Sequence, residues 1–315
     1  ANSELVLMYW DLGNFILQKQ NNEGWGAKVI DRLSSDLTES FPDMKGFSPR
    51  NLKYMRAFAV AWQEKEIVQE VLAQLTWYQN LALLEKLKDK EERLWYAGKA
   101  REFGWSHNIL SMQIDMRLYA RKGKLTNNFT ETLPPTDSDI ALQIFKDPYI
   151  FDFLGTADIR REKELERGLV EHIQKFLLEL GTGFAFVGRQ VHLELGESDF
   201  YIDLLFYHLK LRCYVVIELK AEELAAGDVS QLNMYLNVVD DVLRNDDDKQ
   251  TIGLLLVKKK NKVIAEYCLR GYIKQIGIAE WEKALTQSLP DNLKSSLPTV
   301  EEIESELSRK ENRLD

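Results

Sequence analysis

Two apolar segments decide the fold of the second half of the chain, and each contains a single carboxylate: Phe200-Tyr201-Ile202-Asp203-Leu204-Leu205-Phe206-Tyr207 and Cys213-Tyr214-Val215-Val216-Ile217-Glu218-Leu219-Lys220. Nearly continuous apolar segments of this length are typical of strands covered on both faces. The turn at 209–211 is short enough for the strands to pair antiparallel, which brings Asp203 close to Glu218. Glu218 and Lys220 are two residues apart and therefore project from the same face.

Carboxylates inside an apolar sheet indicate a bound cation, because an isolated buried carboxylate is costly or takes up a proton. Lys220 supplies one positive charge beside Asp203 and Glu218. A Mg²⁺ ion would supply the rest, since this ion binds through one or two carboxylates and keeps several waters. It would polarise a phosphoryl oxygen and lower the pKa of a bound water. The alternative is a structural salt bridge between Glu218 and Lys220.

The sequence around these strands alternates between helical and strand patterns, which predicts an α/β domain over 160–290. The predicted elements are helix 160–180, strand 184–194, strands 200–208 and 212–220, helix 228–243, strand 251–257, a helix near 262–270 and a short strand near 273–278. The tail 291–315 is acidic and amphipathic, which predicts a peripheral helix.

Residues 1–132 show the three-to-four apolar spacing of helices and predict a helical domain. The prolines and polar residues from Leu133 onward predict a linker and connecting segment over 133–159. Ser48 followed by Pro49 predicts the start of a helix that runs to about Trp62.

A basic cluster surrounds this predicted helix start, in a stretch without acidic residues from 44 to 63: Lys45, Arg50, Lys53 and Arg56. The net charge of −9 disfavours nucleic acid as a partner, but phosphate binding needs only a local basic face. Two helices joined by a short turn, the second one basic, indicate helix-turn-helix geometry and a DNA-binding domain. The alternative is a helical bundle with a charged, solvated face.

Composition narrows the class of protein. Hydrophobic residues make up 45% of the chain, which is ordinary for a globular protein, and apolar stretches are far shorter than a membrane span needs. The two cysteines, Cys213 and Cys268, are too few and too far apart for a cysteine-based zinc site and are typical of reduced core thiols. We therefore expect a cytoplasmic protein that does not act at a membrane.

With these features together, the chain resembles the PD-(D/E)xK nuclease superfamily and, within it, the YhcG family, over nearly its whole length. The two strands carry the resemblance, although Ile202 replaces the proline of the signature. Further stretches carry it too: Gly24-Trp25-Gly26, Gly46-Phe47-Ser48 with Arg50–Met55, Asp147-Pro148-Tyr149 with Phe151–Gly155, and Gly183–Gln190. The fold class implied is α + α/β, a helical N-terminal domain with helix-turn-helix-like elements followed by an αβββαβ restriction-endonuclease-like domain.

The resemblance implies a metal-dependent deoxyribonuclease whose substrates include branched or recombination-type DNA. Asp203, Glu218 and Lys220 stand at the signature positions, with Mg²⁺ as the cofactor and Mn²⁺ as its substitute. A homodimer is an expectation of the same resemblance. A hypothesis from a different class is a nucleic-acid-binding or protein-docking module with a vestigial nuclease core, against which the intact buried charges argue.

The resemblance also suggests roles for residues outside the two strands. A first-helix glutamate often joins the metal site, and Glu166 is preferred to Glu171 because it borders the apolar face of helix 160–180; a solvated glutamate is the alternative. Gln231 on helix 228–243 is a candidate catalytic residue. Three residues are candidates for nucleic-acid contact: Arg189, Gln190 and Tyr235.

Overall fold

The computed structural model describes residues 2–23, 27–155, 159 and 161–283. Two compact units divide the chain, with the first running to Tyr119 and the second beginning at Ala120. The predicted helical tail 291–315 and the Gly24–Gly26 motif lie outside the described residues. Among those that are described, no helix has the length and apolar composition that crossing a membrane requires.

The first unit is helical, as predicted. Its core contains large aromatic side chains that are fully buried, among them Tyr54, Phe58, Trp62 and Tyr96. A 3-10 helix lies at Leu72–Gln74. In chain order the α-helices are α1 (Asn2–Glu23), α2 (Ala27–Ser40), α3 (Pro49–Ala61), α4 (Lys65–Glu70), α5 (Trp77–Lys86), α6 (Lys90–Phe103), α7 (His107–Asp115) and α8 (Leu118–Arg121), which contains the unit boundary.

The Gly46-Phe47-Ser48 motif forms the turn before α3. Ser48 caps the helix by accepting a hydrogen bond from the backbone N–H of Asn51 at 3.2 Å, as the sequence predicts. Gly46 has φ +105°, and a Cβ there would meet the Tyr9 hydroxyl at 2.3 Å. The Asn51 side chain donates to the carbonyl of Gly46 and accepts from the Trp77 indole, each at 2.7 Å. The motif is therefore a scaffold that fixes where α3 begins.

In the second unit, the described residues form seven strands. The sheet order is β1-β7-β6-β5-β4-β3, and β2 pairs parallel with β7. A 3-10 helix lies at Asp152–Leu154. The elements are β1 (Thr126–Asn127), α9 (Phe129–Thr132), α10 (Pro135–Ile144), β2 (Tyr149–Ile150), α11 (Glu162–Glu171), α12 (Ile173–Leu180), β3 (Phe184–Leu195), β4 (Ser198–His208), β5 (Cys213–Leu219), α13 (Ala226–Val242), β6 (Ile252–Val257), α14 (Lys262–Leu269) and β7 (Gln275–Glu282).

The predicted αβββαβ order is confirmed over α11 to β6. Strands β3, β4 and β5 pair antiparallel, and β5, β6 and β7 run parallel. One face of the sheet packs against α11 and α12 through a core that includes Leu165, Phe176 and Phe206. The other packs against α13 and α14 through a core that includes Val216 and Leu232. Strand β5 is thus covered on both faces, as its continuous apolar sequence predicts.

The segment 133–159, predicted to be a linker, is instead part of the folded second unit. It contains α10 and β2, and Phe145, Tyr149 and Phe151 are fully buried in the core that underlies α11 and α12. Residues 126–127 likewise add a strand to β7 within a segment predicted as helical. The proline-rich turn signal at Pro134-Pro135 marks the start of α10 and not a domain boundary, because proline fits the first helical position.

Two helical segments are interrupted. The chain breaks between α7 and α8 at Arg117, which has φ +52°. Helix 160–180 breaks into α11 and α12 at His172. The apolar residues of α11 and α12 face the same core. Their spacing therefore continues across His172 and does not predict the break there.

Candidate active site

Asp203 and Glu218 lie side by side where β4 and β5 part. The ladder between the two strands ends at the Leu204–Ile217 pair, so the next residues along, Asp203 and Glu218, face each other. The backbone N–H of Asp203 points to Glu218 Oε1 at 3.4 Å, and Asp203 Oδ2 accepts from the backbone N–H of Leu219 at 3.0 Å. The predicted approach of the two acids is confirmed.

Both carboxyl groups are costly to ionise in this position. Glu218 is 3% exposed, and burial followed by the charge of Asp203 raises its pKa well above its usual range. Burial also raises the pKa of Asp203, although the N–H of Leu219 and the Lys220 ammonium act in the opposite direction. A cation placed between the two acids would offset this cost.

Lys220 pairs with an acid that the sequence did not single out. Its ammonium lies 3.4 Å from Glu162 Oε1, at the start of α11. Burial by itself lowers the pKa of Lys220, but Glu162 and Glu218 outweigh it, so the net shift is upward and the ammonium stays charged. The backbone carbonyl of Lys220 accepts from the buried Trp281 indole at 2.9 Å, which fixes the end of β5.

Glu166 is connected to Asp203 by hydrogen bonds from the side-chain amide of Gln190. The amide of Gln190 donates to Glu166 and, at 3.0 Å, to Asp203 Oδ1. The Glu166 side chain is 8% exposed, whereas Glu171 is 62% exposed and lies 3.5 Å from Arg167, so the structure favours Glu166. Burial raises the pKa of Glu166, and Asp203 adds to the shift. Arg189 lies at the rim, 4.0 Å from Glu166.

The helix α13 carries two residues that the sequence singled out, Gln231 and Tyr235. The Gln231 amide donates to the Tyr235 hydroxyl at 2.9 Å. Burial raises the pKa of Tyr235, and the charges of Glu218 and Asp203 add to the shift. Tyr235 is 7% exposed and packs 6.3 Å from Phe200, so most of its ring belongs to the core.

The donor set suits a hard divalent cation held by two carboxylates. Within the described part of the chain, no three His, Cys, Asp and Glu side chains stand close enough together to hold a metal ion. The Gln190 amide lies between Glu166 and Asp203, and the place of Glu166 among the metal ligands stays a prediction. Mg²⁺ in proteins is nevertheless usually bound by one or two carboxylates and keeps several of its waters. Such an ion would offset the free-energy cost of ionising Glu218.

A cluster that the sequence did not predict anchors β7 beside the site. Lys260 donates to Asp147 and, at 2.8 Å, to the carbonyl of Ile278. The other oxygen of Asp147 accepts from the backbone N–H of Glu280 at 2.8 Å. This pairing explains the Asp147-Pro148-Tyr149 motif, because it fixes β2 against β7. The sequence could not predict the contact between Lys260 and Asp147, because the two residues are 113 positions apart and residue spacing does not indicate contacts at that distance.

The basic residues of the first unit lie on and before α3. Lys45 and Arg50 are exposed, and Lys53 and Arg56 are half-buried. Arg56 donates to the Gln20 side chain at 3.3 Å. The connection between α2 and α3 spans 41–48, which is longer than the roughly three- to four-residue turn of a helix-turn-helix. The helix-turn-helix assignment stays a prediction.

Comparison with known sequences identifies the family of the chain. The family model "YhcG PDDEXK nuclease domain" matches residues 142–298, and "DUF1016 N-terminal domain" matches 1–121. The chain is also 30% identical, over an alignment 340 positions long, to "Putative nuclease YhcG" of Escherichia coli (strain K12), across 96% of this chain and 90% of that protein. The chain belongs to the YhcG family. Its PDDEXK nuclease domain begins before 160, in agreement with the folded segment that contains β2.

Two solved structures share weak similarity with this YhcG family member. The "Structure of EndoMS-dsDNA2 complex" aligns with 18% identity and a TM-score of 0.28, over 42% of this chain and 48% of that chain. A repair endonuclease from Pyrococcus abyssi aligns with 17% identity and a TM-score of 0.26, over 41% and 49%. The alignments span about half of each solved chain.

Proposed function

We propose that this YhcG family nuclease hydrolyses DNA phosphodiester bonds with a divalent metal ion, Mg²⁺ or Mn²⁺, held by Asp203 and Glu218. The observation that carries the proposal is the pair of adjacent acids, one of them almost fully buried, at the end of β5. PDDEXK nucleases generally use divalent metal ions, and these two acids with Lys220 occupy the positions of that signature.

In this proposal each residue has a defined task. Asp203 and Glu218 would hold the ion, which would polarise the scissile phosphate and make a bound water more acidic. The Lys220 ammonium, kept charged and oriented by Glu162, stabilises negative charge that develops on the phosphate. Gln231 and Tyr235 present polar groups from α13 on the side of the acids. The water-excluding apolar sheet around the acids strengthens these electrostatic interactions.

A cleavage panel tests the proposal. Linear, nicked, branched and single-stranded DNA, and RNA of the same sequence, are incubated with the full chain in Mg²⁺, Mn²⁺ or EDTA. We expect cleavage of at least one DNA substrate with either ion and none in EDTA, with branched DNA cut fastest. If neither ion binds in calorimetry and no substrate is cut, the vestigial-core hypothesis is favoured. The cytoplasmic location and the homodimer stay predictions.

We further propose that the exposed basic face of α3 binds the DNA backbone. Arg50→Gln combined with Lys53→Gln removes two charges and is expected to reduce the slope of log K against log salt by about 2, since each phosphate contact contributes about 0.9. Fluorescence anisotropy with labelled duplex measures the slope. A matched variant, Lys88→Gln with Arg101→Gln, removes two exposed charges elsewhere in the first unit. An unchanged slope in the α3 variant would contradict the role of this face.

A further inference from the structure

The amide of Gln190 connects two acids that come from different elements. Its Nε2 donates both to Glu166 Oε2 on α11 and to Asp203 Oδ1 on β4. An amide nitrogen carries two hydrogens, so it can make both hydrogen bonds at once. Without such a shared donor, the two carboxylates would repel each other, and the charge of Asp203 already raises the pKa of Glu166. Gln190 therefore sets the relative position of the helix acid and the strand acid.

The backbone of Gln190 is strained. Its φ is +46°, in the left-handed region, which costs a residue with a Cβ roughly 1–2 kcal/mol. A β-bulge between Phe186 and Gly188 precedes it in β3. The register places Gln190 directly opposite Asp203, as the flanking pairs show: Arg189 with Leu204 and Val191 with Ile202. Backbone strain of this kind persists where the surroundings enforce it, and it clusters at functional sites.

Packing does not account for this strain. Gln190 is exposed, so its conformation buries little apolar surface. The hydrogen bond to Asp203 is also solvent-exposed, and such a bond adds little to the stability of the fold. What the left-handed conformation accomplishes is the placement of the amide between Glu166 and Asp203.

We infer that Gln190 is a positioning residue of the metal site, whose amide holds the carboxylate of Glu166 beside that of Asp203, so that both acids would act on one divalent cation. The inference rests on the proposed function, since it needs a cation at Asp203 and Glu218. Metal-binding carboxylates are oriented by hydrogen bonds from outer residues, and loss of such a partner typically lowers metal affinity about 10–100-fold. This role differs from the phosphate contact predicted for Gln190 from the sequence.

Calorimetric titration of Mn²⁺ into the full chain, without DNA, tests the inference. Gln190→Met keeps the length of the side chain but removes the donor, and we expect Mn²⁺ affinity to fall at least about tenfold. Gln190→Gly removes the donor and also relieves the left-handed strain, so affinity should fall equally while the melting temperature stays level or rises. Gln174→Met, at an exposed glutamine of α12, is the matched control and should bind Mn²⁺ like the wild type.

The outcomes separate this inference from the proposed function. If the wild type binds Mn²⁺ and Gln190→Met binds it within about twofold, the positioning role is wrong and the metal site stands. If Gln190→Met instead weakens DNA binding in Ca²⁺ with unchanged metal affinity, Gln190 contacts substrate and the inference is likewise overturned. If the wild type binds no Mn²⁺, the proposed function itself fails.

Discussion

Asp203→Asn is expected to lower metal-dependent DNA cleavage by on the order of 10³-fold or more, equivalent to about 4 kcal/mol of lost transition-state stabilisation. Asparagine keeps the size of the side chain, and its carbonyl oxygen can still accept from the N–H of Leu219. What it removes is the charge that we propose binds the cation. Single-turnover cleavage rates in Mg²⁺ measure the effect, and DNA affinity in Ca²⁺ should change less than about threefold.

The thermal stability of Asp203→Asn shows whether it loses cleavage activity because the carboxylate is missing or because the protein unfolds. Burial raises the pKa of Asp203 and, with Asp203, that of Glu218, so the ionised pair destabilises the metal-free fold at neutral pH. Asp203→Asn should therefore melt at or above the temperature of the wild type while being inactive. Asp241→Asn, at an exposed position of α13, serves as the control and should keep full activity. Cleavage by Asp203→Asn at the wild-type rate would refute the assigned site.

Glu179→Gln is expected to destabilise the second unit by about 3–5 kcal/mol, because it leaves buried cations without their counter-ion. Glu179 Oε1 accepts from Arg121 at 2.5 Å and from the backbone N–H of Ile150 at 2.8 Å, and Lys146 lies 3.6 Å from Oε2. The three charged side chains are each no more than about 4% exposed. Differential scanning calorimetry of the full chain should show a loss of roughly 10 °C, at about 2–4 °C per kcal/mol.

Two further variants identify the cause of this loss. The cluster contains two cations, Arg121 and Lys146, but one anion, Glu179, so one cation is in excess. Burial lowers the pKa of Lys146 to about 8 even with Glu179 beside it. Lys146→Met removes that excess and should cost under about 1.5 kcal/mol, within the range of volume-conserving changes. Glu171→Gln, at an exposed ion pair with Arg167, should change stability by less than about 0.5 kcal/mol. Equal losses in Glu179→Gln and Lys146→Met would contradict the charge argument.

The pKa of Lys146 also gives a pH dependence with a definite sign. Its folded value of about 8 lies below its ordinary 10.5, so between these values the unfolded chain binds more protons than the folded one. The contribution of Lys146 to stability therefore increases as the pH rises from about 8 to about 10.5.

Much of the geometry of the candidate site could be predicted from the sequence, because it depends on the local pattern of apolar and charged residues. The apolar strands with one acid each, and the short turn between them, suffice to predict that Asp203 and Glu218 become neighbours, and the structure confirms it. The helical first unit and the αβββαβ order are likewise properties of apolar spacing. The predicted roles of Gln231, Tyr235 and Arg189 remain to be tested.

Other features depend on contacts that spacing cannot predict. The pairing of Glu162 with Lys220 and the burial of Arg121 with Glu179 join residues 58 apart in each case. The strand formed by residues 126–127 exists only because β7 is there to pair with it.

The sequence by itself determined the type of each main element and the two acids at the centre of the candidate site. Both the elements and the acids follow from the order of apolar and charged residues along short segments. The tertiary structure alone decided that Phe145, Tyr149 and Phe151 belong to the core, that Lys220 pairs with Glu162, and that the amide of Gln190 links Glu166 to Asp203. The physical reason is that side chains distant along the chain interact only after the sheet and helices have packed, and their free energy of interaction depends on burial and geometry that no local pattern contains.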